Sequence, residues 1–187
     1  FPKIKTLARK AKADIYFADE AGVRSDYHSG TTWAQRGKTP IVSTTGARFG
    51  LNLISAISPR GQMRFMITKA RVGAKVFIDF LIRLIHNAKQ PVFVIVDGHP
   101  AHRAKKVSQF VDSVKDRLRL FFLPPYSPEL NPDEWVWNHL KHHGIGRQVV
   151  TTKPQMKRAV ISHMRKLQKS PKLLCSFFQA ETTRYAA

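Results

Sequence analysis

The chain has 187 residues, of which 32 are Lys or Arg and 12 are Asp or Glu, so its formal net charge is +20. A hydrophobic content of 43% with 12 Phe is typical of a folded domain and excludes a disordered basic tail. Self-repulsion of this charge indicates a polyanionic partner. Nucleic acid is favoured over a membrane, because no apolar run approaches the roughly 20 residues that span a bilayer.

Hydrophobic patterning predicts alternating strands and helices. The first 13 residues carry five basic residues and no acid, which suggests a basic linker or arm. A strand at 14–18 ends at Asp19, and Gly and Pro make 31–42 (TTWAQRGKTPIV) an irregular excursion. The remaining predictions are an antiparallel hairpin of strands at 46–58 and 63–69, a buried helix at 74–88, a strand at 92–96, a helix at 101–116, a strand at 118–123, a helix at 132–142 and a basic helical region from 151.

This order of elements predicts an α/β fold. Strands that are connected through helices run largely parallel, whereas the hairpin is antiparallel, so we expect a mixed sheet with helices on its faces. In such sheets ligands gather at the carboxyl ends of the strands. The acidic residues that follow predicted strands are therefore the first candidates for a functional site.

Asp19 and Asp97 each directly follow an apolar strand, in DIYFADEAG and PVFVIVDGHPAH. If the two strands are neighbours, the carboxylates can share a divalent metal, and Mg²⁺ prefers carboxylate and water ligands. Two such ions about 3.5–4 Å apart suit phosphodiester chemistry. Two alternatives stay open: Asp97 before Gly98 also suits a simple turn, and Glu20 is as good a functional acid as Asp19.

Glu134 has two interpretations that the spacing leaves open. Asn131, Pro132 and Glu134 suit a helix start, as N-cap, first helical residue and capping-box carboxylate respectively. Glu134 is equally suited to be the third carboxylate of a metal site.

The acidic candidates lie in three blocks of sequence. FADEAG contains Asp19, VFVIVDGHPAH contains Asp97 and His102, and LPPYSPELNPDEWVWNHLK contains Glu134. The blocks resemble the DDE transposases, specifically the bacterial insertion-sequence transposases related to mariner elements, over about 14–145. The 36 residues between Asp97 and Glu134 suit the family. The other matching positions are Trp33, Gly37, Pro40, Pro125, Tyr126, Ser127, Pro128, Leu130, Asn131, Pro132, Trp137, Leu140 and Lys141.

The resemblance implies a ribonuclease H-like catalytic domain over 14–150, with a mixed five-stranded sheet, and a basic helical C-terminal extension over 151–187. Asp19, Asp97 and Glu134 would form the catalytic triad and bind two Mg²⁺ ions, with Mn²⁺ as a substitute. The implied reaction is hydrolytic nicking at transposon ends, followed by attack of the freed 3′-hydroxyl on target DNA.

The implied partners are double-stranded DNA, both transposon ends and target, and a second copy of the chain in a homodimer on paired ends. The implied location is the bacterial cytoplasm, at the nucleoid and without a membrane. Gly98 departs from the Asn that many relatives have. Asp133 departs from a common apolar residue and is, like Glu20, a further candidate ligand. The helix-turn-helix region that reads transposon ends in such enzymes has no counterpart in the sequence.

Basic residues near the three blocks are the candidates for DNA contact, and 135–180 contains no acid. Such a run is either a solvated face or a surface for the DNA backbone, and the second predicts steep salt dependence. Tyr126 and Trp135 either stack on a base or anchor their loops. The candidate DNA-binding residues are His102, Arg103, Lys105, Lys106, Lys141, Arg147, Lys157 and Arg158.

A zinc site is not predicted. The single cysteine, Cys175, excludes a cysteine-based site and an internal disulfide, and it indicates a reducing compartment. Histidines do cluster, however. They form an H-x-x-H pair, His99 and His102, and a later group that suits a helix end, His139, His142 and His143.

Two other functions remain open. A ribonuclease H-like nuclease without strand transfer would use the same carboxylates, and only the reaction products separate the two enzymes. An inactive DNA-binding remnant of a transposase would bind DNA without metal-dependent cleavage. The presence of all three acids favours an active enzyme.

Overall fold

The computed structural model describes residues 1–25, 35–38, 48–86, 88–147 and 150–187. The predicted excursion at 31–42, with Trp33 and Pro40, lies outside these ranges except for 35–38. Within them the strands are β1 (Asp14–Arg24), β2 (Gly50–Ile57), β3 (Met63–Thr68), β4 (Val92–Val96) and β5 (Leu118–Phe122). The α-helices are α1 (Pro2–Ala11), α2 (Ala74–His86), α3 (Lys105–Ser113), α4 (Glu134–His139), α5 (Lys153–Gln168) and α6 (Pro171–Ser176).

The strands form one five-stranded mixed sheet in the order β3-β2-β1-β4-β5. The central strand β1 pairs antiparallel with β2 and parallel with β4. The hairpin of β2 and β3 is antiparallel, as predicted, and β4 and β5 are parallel. The mixed α/β sheet expected from the order of elements is therefore confirmed.

Alternation along β1 divides the core between the two faces of the sheet. Phe17 and Val23 point to one face, where α4, α5 and α6 supply the apolar partners. Tyr16 and Ala18 point to the other face, which α2 and α3 cover. All five residues of β4 are buried, because helices lie on both sides of it.

The strand β1 is longer than predicted. It was expected to end before Asp19, but it continues to Arg24, because antiparallel pairing with β2 extends from Phe17↔Ile57 to Arg24↔Gly50. Its parallel pairing with β4 is shorter and ends at Phe17↔Ile95. Asp19 therefore lies inside a strand, just beyond the point where the parallel neighbour stops.

The basic N-terminal residues, which suggested a linker or arm, form helix α1. Phe1 and Ile4 pack against the core, and Ala8 is buried. These three residues recur at intervals of three and four positions, so they share one face of the helix. The helix ends where Lys12 adopts a left-handed conformation with φ of 51°.

The C-terminal helices belong to the same core as the five-stranded sheet. Met156, Val160 and Met164 of α5 are fully buried, and Leu174 of α6 joins them. Gln168 also donates a hydrogen bond of 2.9 Å to the backbone carbonyl of Met63 at the start of β3. The region expected to be an extension therefore covers one face of the sheet. Within the described ranges, no helix is both long and apolar enough to cross a membrane.

We predict that Met164→Ala will lower the free energy of unfolding by about 2–5 kcal/mol, because it leaves a cavity in this shared core. Urea unfolding followed by circular dichroism measures the change. The neighbouring Arg165 is exposed, so Arg165→Ala should change stability by less than about 0.5 kcal/mol. Equal stability of the two variants would show that α5 does not contribute to the core.

Candidate active site

The candidate site lies at the edge of the sheet where β1 and β4 part. The last parallel pair is Phe17↔Ile95, and Asp19 and Asp97 each follow two residues later. Continuing this register places the two aspartates opposite each other on strands that are about 4.8 Å apart. The parallel pairing therefore brings together the first two carboxylates predicted from sequence.

Asp19 is held in place from helix α4. Its side chain is only 8% exposed, and the indole Nε1 of the buried Trp137 donates a hydrogen bond of 2.9 Å to its Oδ2. Burial raises the pKa of Asp19 well above its ordinary value of 3.8, and the nearby charges of Glu134, Asp133 and Glu20 raise it further. A carboxylate held in this way favours a counter-cation.

Glu134 is the first residue of α4 and is exposed. Helix α4 is tied to β1 by Asn131, whose side-chain amide donates a hydrogen bond of 3.2 Å to the carbonyl of Ala18, next to Asp19. Glu134 opens into a groove of about 470 Å³ that Trp135 and Lys141 also line. The third predicted carboxylate is thus near Asp19 and open to solvent.

The capping interpretation of Glu134 is wrong. Helix α4 begins at Glu134 itself, with Asp133 as its N-cap. A capping-box glutamate would accept a bond from the backbone N–H of Asn131, but that N–H donates instead to Pro128 at 2.9 Å. Asn131 stabilises the turn through its side chain, which accepts a hydrogen bond of 3.1 Å from the backbone of Asp133. The Glu134 carboxylate therefore does not cap the helix and can bind another group.

Asp133 faces the core and not the groove. It is completely buried, and the hydroxyl of Ser55 lies 2.6 Å from its Oδ2. Ser55 is the cross-strand partner of Asp19, so Asp133 lies directly beneath the site. Burial raises the pKa of Asp133 well above 3.8, the Ser55 hydrogen bond partly offsets this, and the charge of Glu134 adds to it.

Asp97 is held by the turn that follows β4. Its Oδ1 accepts hydrogen bonds of 2.9 Å from Nδ1 of His102 and 3.0 Å from the backbone of His99. The His102 bond is the largest cause of the lowered pKa of Asp97. Within the described residues Oδ2 receives no hydrogen bond, so this oxygen is open to a ligand.

Glu20 points away from Asp19, because successive side chains of a strand alternate between faces. Its Oε2 lies 3.0 Å from Nε2 of His102, and its Oε1 lies 3.4 Å from Nδ1 of His99. Burial on its own would lower the pKa of His102, but the carboxylates of Asp97 and Glu20 raise it to about 9. Glu20 thus belongs with the histidines, and Asp19 is the acid that faces α4.

His102, a predicted DNA contact, is only 2% exposed, packs against the ring of Phe77 and lies between Asp97 and Glu20. The sequence motif contains His102, but Glu20 is distant in the chain and no local pattern indicates their contact.

The other predicted basic residues divide into two groups. Arg103 lies beside the turn that follows Asp97. Its guanidinium is 4.6 Å from the ring centre of Phe122. It also passes close to Gly98, where an added Cβ atom would lie about 3.4 Å from the guanidinium nitrogens. Lys105 and Lys106 are exposed in the first turn of α3, at the same edge of the sheet. Lys141 lines the groove that contains Glu134.

The second group lies on or near α5. Lys157 and Arg158 are exposed there, and Arg158 lines separate grooves with Lys166 rather than the one that contains Glu134. A π-helical turn, Leu140–Gly144, is followed by a 3₁₀ turn, Ile145–Arg147. Arg147 is the last residue of this 3₁₀ turn, and its side chain is not among the described parts of the chain. The grooves that Arg158 lines are thus distinct from the one that contains Glu134.

The aromatic candidates differ from each other. Tyr126 is fully exposed and has a positive φ of 54°, whereas Trp135 is 40% exposed and lines the Glu134 groove. His139 of the later histidine group contacts a fourth histidine, His163 of α5, whose Nε2 is 2.9 Å from Nδ1 of His139. Burial is the main reason that the pKa of His163 is lowered to about 4. His163 lies 24 residues after His139, so no local pattern in the sequence indicates the contact.

The carboxylates fit a hard divalent cation. Within the described residues, none of the ion pairs joins a Lys or Arg to Asp19, Asp97 or Glu134. The negative charges of neighbouring acids that raise the pKa of Asp19 are therefore not neutralised by a Lys or Arg among the described residues. Oxygen ligands from three carboxylates, with solvent access through the groove, are the set that Mg²⁺ prefers.

The sequence matches the family described as DDE superfamily endonuclease over residues 14–157. The chain therefore belongs to the DDE superfamily of endonucleases. No curated protein matches it in sequence.

Several solved structures share its fold. A pre-cleavage Mos1 transpososome aligns with a TM-score of 0.68 at 13% identity, over 100% of this chain and 60% of that chain. The Mos1 mariner paired end complex with Mn aligns with a TM-score of 0.64 at 15% identity, over 98% and 60%. The catalytic domain of Mos1 mariner transposase aligns with a TM-score of 0.57 at 14% identity, over 99% and 90%.

The chain thus spans about 60% of the length of the transposase chains in the paired end and transpososome structures. At these identities the likeness concerns the fold, and it confirms the ribonuclease H-like architecture. The family match confirms that the three sequence blocks were correctly grouped with DDE enzymes.

The raised pKa values of Asp19 and Asp133 predict how stability depends on pH. The folded protein keeps these protons at pH values where the unfolded chain, with pKa near 3.8, has released them. Their contribution to the free energy of unfolding is therefore fully present below pH 3.8 and decreases as the pH rises. We expect Asp133→Asn to weaken this decrease and to be more stable than the native chain at pH 8.

Thermal unfolding across pH in the presence of a metal chelator measures the effect. Asp112 is exposed on α3, so Asp112→Asn is the matched control and should follow the native pH profile. A profile of Asp133→Asn that is parallel to the native one would contradict a buried protonated acid at this position.

Proposed function

We propose that this chain is the catalytic domain of a transposase, which cuts DNA at the ends of a mobile element and joins the freed 3′-hydroxyl to target DNA. The observation that carries the proposal is the β1–β4 register, which takes Asp19 and Asp97 to the same end of two paired strands, and the charge of Glu134 acts on Asp19 there. Membership of the DDE superfamily supports the same reaction class.

Asp19, Asp97 and Glu134 would hold the divalent cations, which we propose to be two Mg²⁺ ions with Mn²⁺ as a substitute. When bound, such ions activate an attacking oxygen and stabilise a leaving oxygen in phosphodiester chemistry. Structures of Mos1 relatives with Mg and with Mn support this choice.

The three carboxylates are held with different rigidity. Asp19 is fixed by the Trp137 indole, and Asp97 is fixed through Oδ1 by His102. Glu134 lies exposed at the start of α4 and can adjust to the DNA strand that enters the groove. Two fixed ligands and one adjustable ligand suit a site that must accept both water and a 3′-hydroxyl as nucleophile.

The proposed reaction consists of two exchanges at phosphorus. In nicking, the oxygen of water bonds to phosphorus and the 3′ oxygen leaves with a proton. In joining, the 3′ oxygen bonds to a target phosphorus and the target 3′ oxygen leaves, so one phosphodiester bond replaces another without an external energy source. Both steps use the same carboxylates, because the geometry of the attacked phosphorus is the same.

Double-stranded DNA is the proposed substrate, as transposon end and as target. Arg103, Lys105, Lys106 and Lys141 are suited to hold the phosphates of the cleaved strand. Lys157 and Arg158 on α5 offer a second basic surface for a more distant part of the duplex. A homodimer on paired ends is proposed from the resemblance alone, and bacterial cytoplasm at the nucleoid is the expected location.

The test compares the native chain with Asp97→Asn on supercoiled and pre-nicked DNA in Mg²⁺ or Mn²⁺. We expect metal-dependent nicking and joining by the native chain and a loss of about 1,000-fold or more in the variant, because several kcal/mol of charge stabilisation disappear. Glu134→Gln should show a similar loss. Glu129 lines the same groove outside the triad, so Glu129→Gln is the matched control and should retain activity.

The products distinguish the competing functions. Joined DNA supports a transposase, whereas hydrolysed ends without joining would indicate a nuclease. Equal DNA binding by all variants with no cleavage in either metal would contradict an active enzyme and indicate a DNA-binding remnant. Equal cleavage by the native chain and Asp97→Asn would contradict the assignment of the carboxylates.

A further inference from the structure

A second cluster of ligand-type side chains lies next to the carboxylate site. Glu20, His99 and His102 each offer one nitrogen or oxygen atom, and these atoms all lie within 4.8 Å of one another. Oε1 of Glu20 is 3.4 Å from Nδ1 of His99, and Oε2 is 3.0 Å from Nε2 of His102. The cluster thus brings two imidazoles and a carboxylate to a single point.

Two of these atoms are buried and have only each other as a near partner. Nε2 of His102 and Oε2 of Glu20 lie 3.0 Å apart, and neither makes a further hydrogen bond within the described residues. The His102 side chain is only 1% exposed, so solvent does not reach Nε2. A cation that binds both atoms would replace the proton that they now share, which is how metal binding to histidine is linked to proton release.

The other ring nitrogen of His102, Nδ1, already has a hydrogen-bond partner. Nδ1 lies 2.9 Å from Oδ1 of Asp97, and a hydrogen bond to this carboxylate leaves Nε2 of the neutral ring as an electron-pair donor. Histidines that bind metals in proteins are almost always oriented by such a bond from their second nitrogen to a carboxylate. His102 therefore has the orientation of a metal ligand, and a cation at Nε2 would displace the proton that the raised pKa of about 9 keeps on the ring.

We propose that Glu20, His99 and His102 form a separate transition-metal site, suited to Zn²⁺ or Co²⁺, beside the Asp19, Asp97 and Glu134 carboxylates. Two histidines and one glutamate, with a fourth position for solvent, are a ligand set that zinc uses in proteins. Imidazole favours such ions over Mg²⁺, so the two neighbouring sites select different metals.

The surroundings of the cluster suit metal entry and give the ion a role. The His99 side chain is 40% exposed, which opens a path from solvent to the buried His102. Glu20 lies on β1, and both histidines lie in the turn after β4. An ion at this point would link the strand to the turn and hold Asp97, through His102, in its orientation toward the catalytic edge.

The same residues have one competing explanation, which requires no metal. A protonated His102 would form ion pairs with the carboxylates of Asp97 and Glu20. In that case His99 would not be needed to hold the cluster together. The two explanations differ in a measurable way, because only the metal site requires His99.

The experiment titrates Co²⁺ into the whole chain in excess Mg²⁺ and records its visible absorption, with Zn²⁺ competition for affinity. We expect one Co²⁺ per chain with nitrogen ligation, displaced by Zn²⁺. His99→Ala should weaken binding by more than about 100-fold, since loss of even an outer-shell partner costs 10–100-fold. Glu20→Gln should weaken it as well, and both residues are partly exposed, which favours a folded variant.

Two variants serve as controls. His143→Ala changes an exposed histidine near the His139 and His163 pair, and Asp112→Asn changes an exposed carboxylate of α3; both should bind Co²⁺ like the native chain. Absence of stoichiometric binding, unchanged binding by His99→Ala, or loss of binding in either control would overturn the proposal. The readout needs no DNA, so its failure is distinguishable from failure of the transposase function.

Discussion

Parallel pairing of β1 with β4 is the constraint on which the site depends. The pairing ends at Phe17↔Ile95, while β1 continues alongside β2 as far as Arg24. Asp19 and Asp97 therefore both lie just beyond the last β1–β4 pair, at the same end of the two strands. Asp19 is still inside β1, whereas Asp97 begins the turn after β4. The buried run Val92–Val96 holds this register, because a slip of one residue would exchange the faces of every side chain in β4.

Helix α4 completes the site through buried polar bonds rather than through apolar contact alone. The Trp137 indole binds Asp19, the Asn131 amide binds the carbonyl of Ala18, and Ser55 binds Asp133. Together these bonds fix where Glu134 begins the helix. They also bury two acids, Asp19 and Asp133, whose raised pKa values make the stability of the fold decrease as the pH rises.

The sequence was most informative where local pattern and tertiary structure agree. The apolar run of β4 and the hairpin turn placed their elements well, and three motif blocks identified the family that the comparisons confirm. Sequence patterns did not predict features that depend on a residue distant in the chain. The length of β1 depends on β2, and the burial of His102 depends on Glu20 and Phe77. None of these partners is near in sequence, so no local period reveals them.

If Asp19, Asp97 and Glu134 together bind divalent cations, crystals of the chain soaked in Mn²⁺ should show the ions at these side chains. Anomalous scattering locates the ions without reference to activity or DNA. We expect manganese at the edge between β1 and β4, with oxygen ligands from Asp19 and Asp97 and with Glu134 turned toward it. Manganese bound only elsewhere, or ordered carboxylates with no ion at saturating Mn²⁺, would show that these carboxylates are not the cation site.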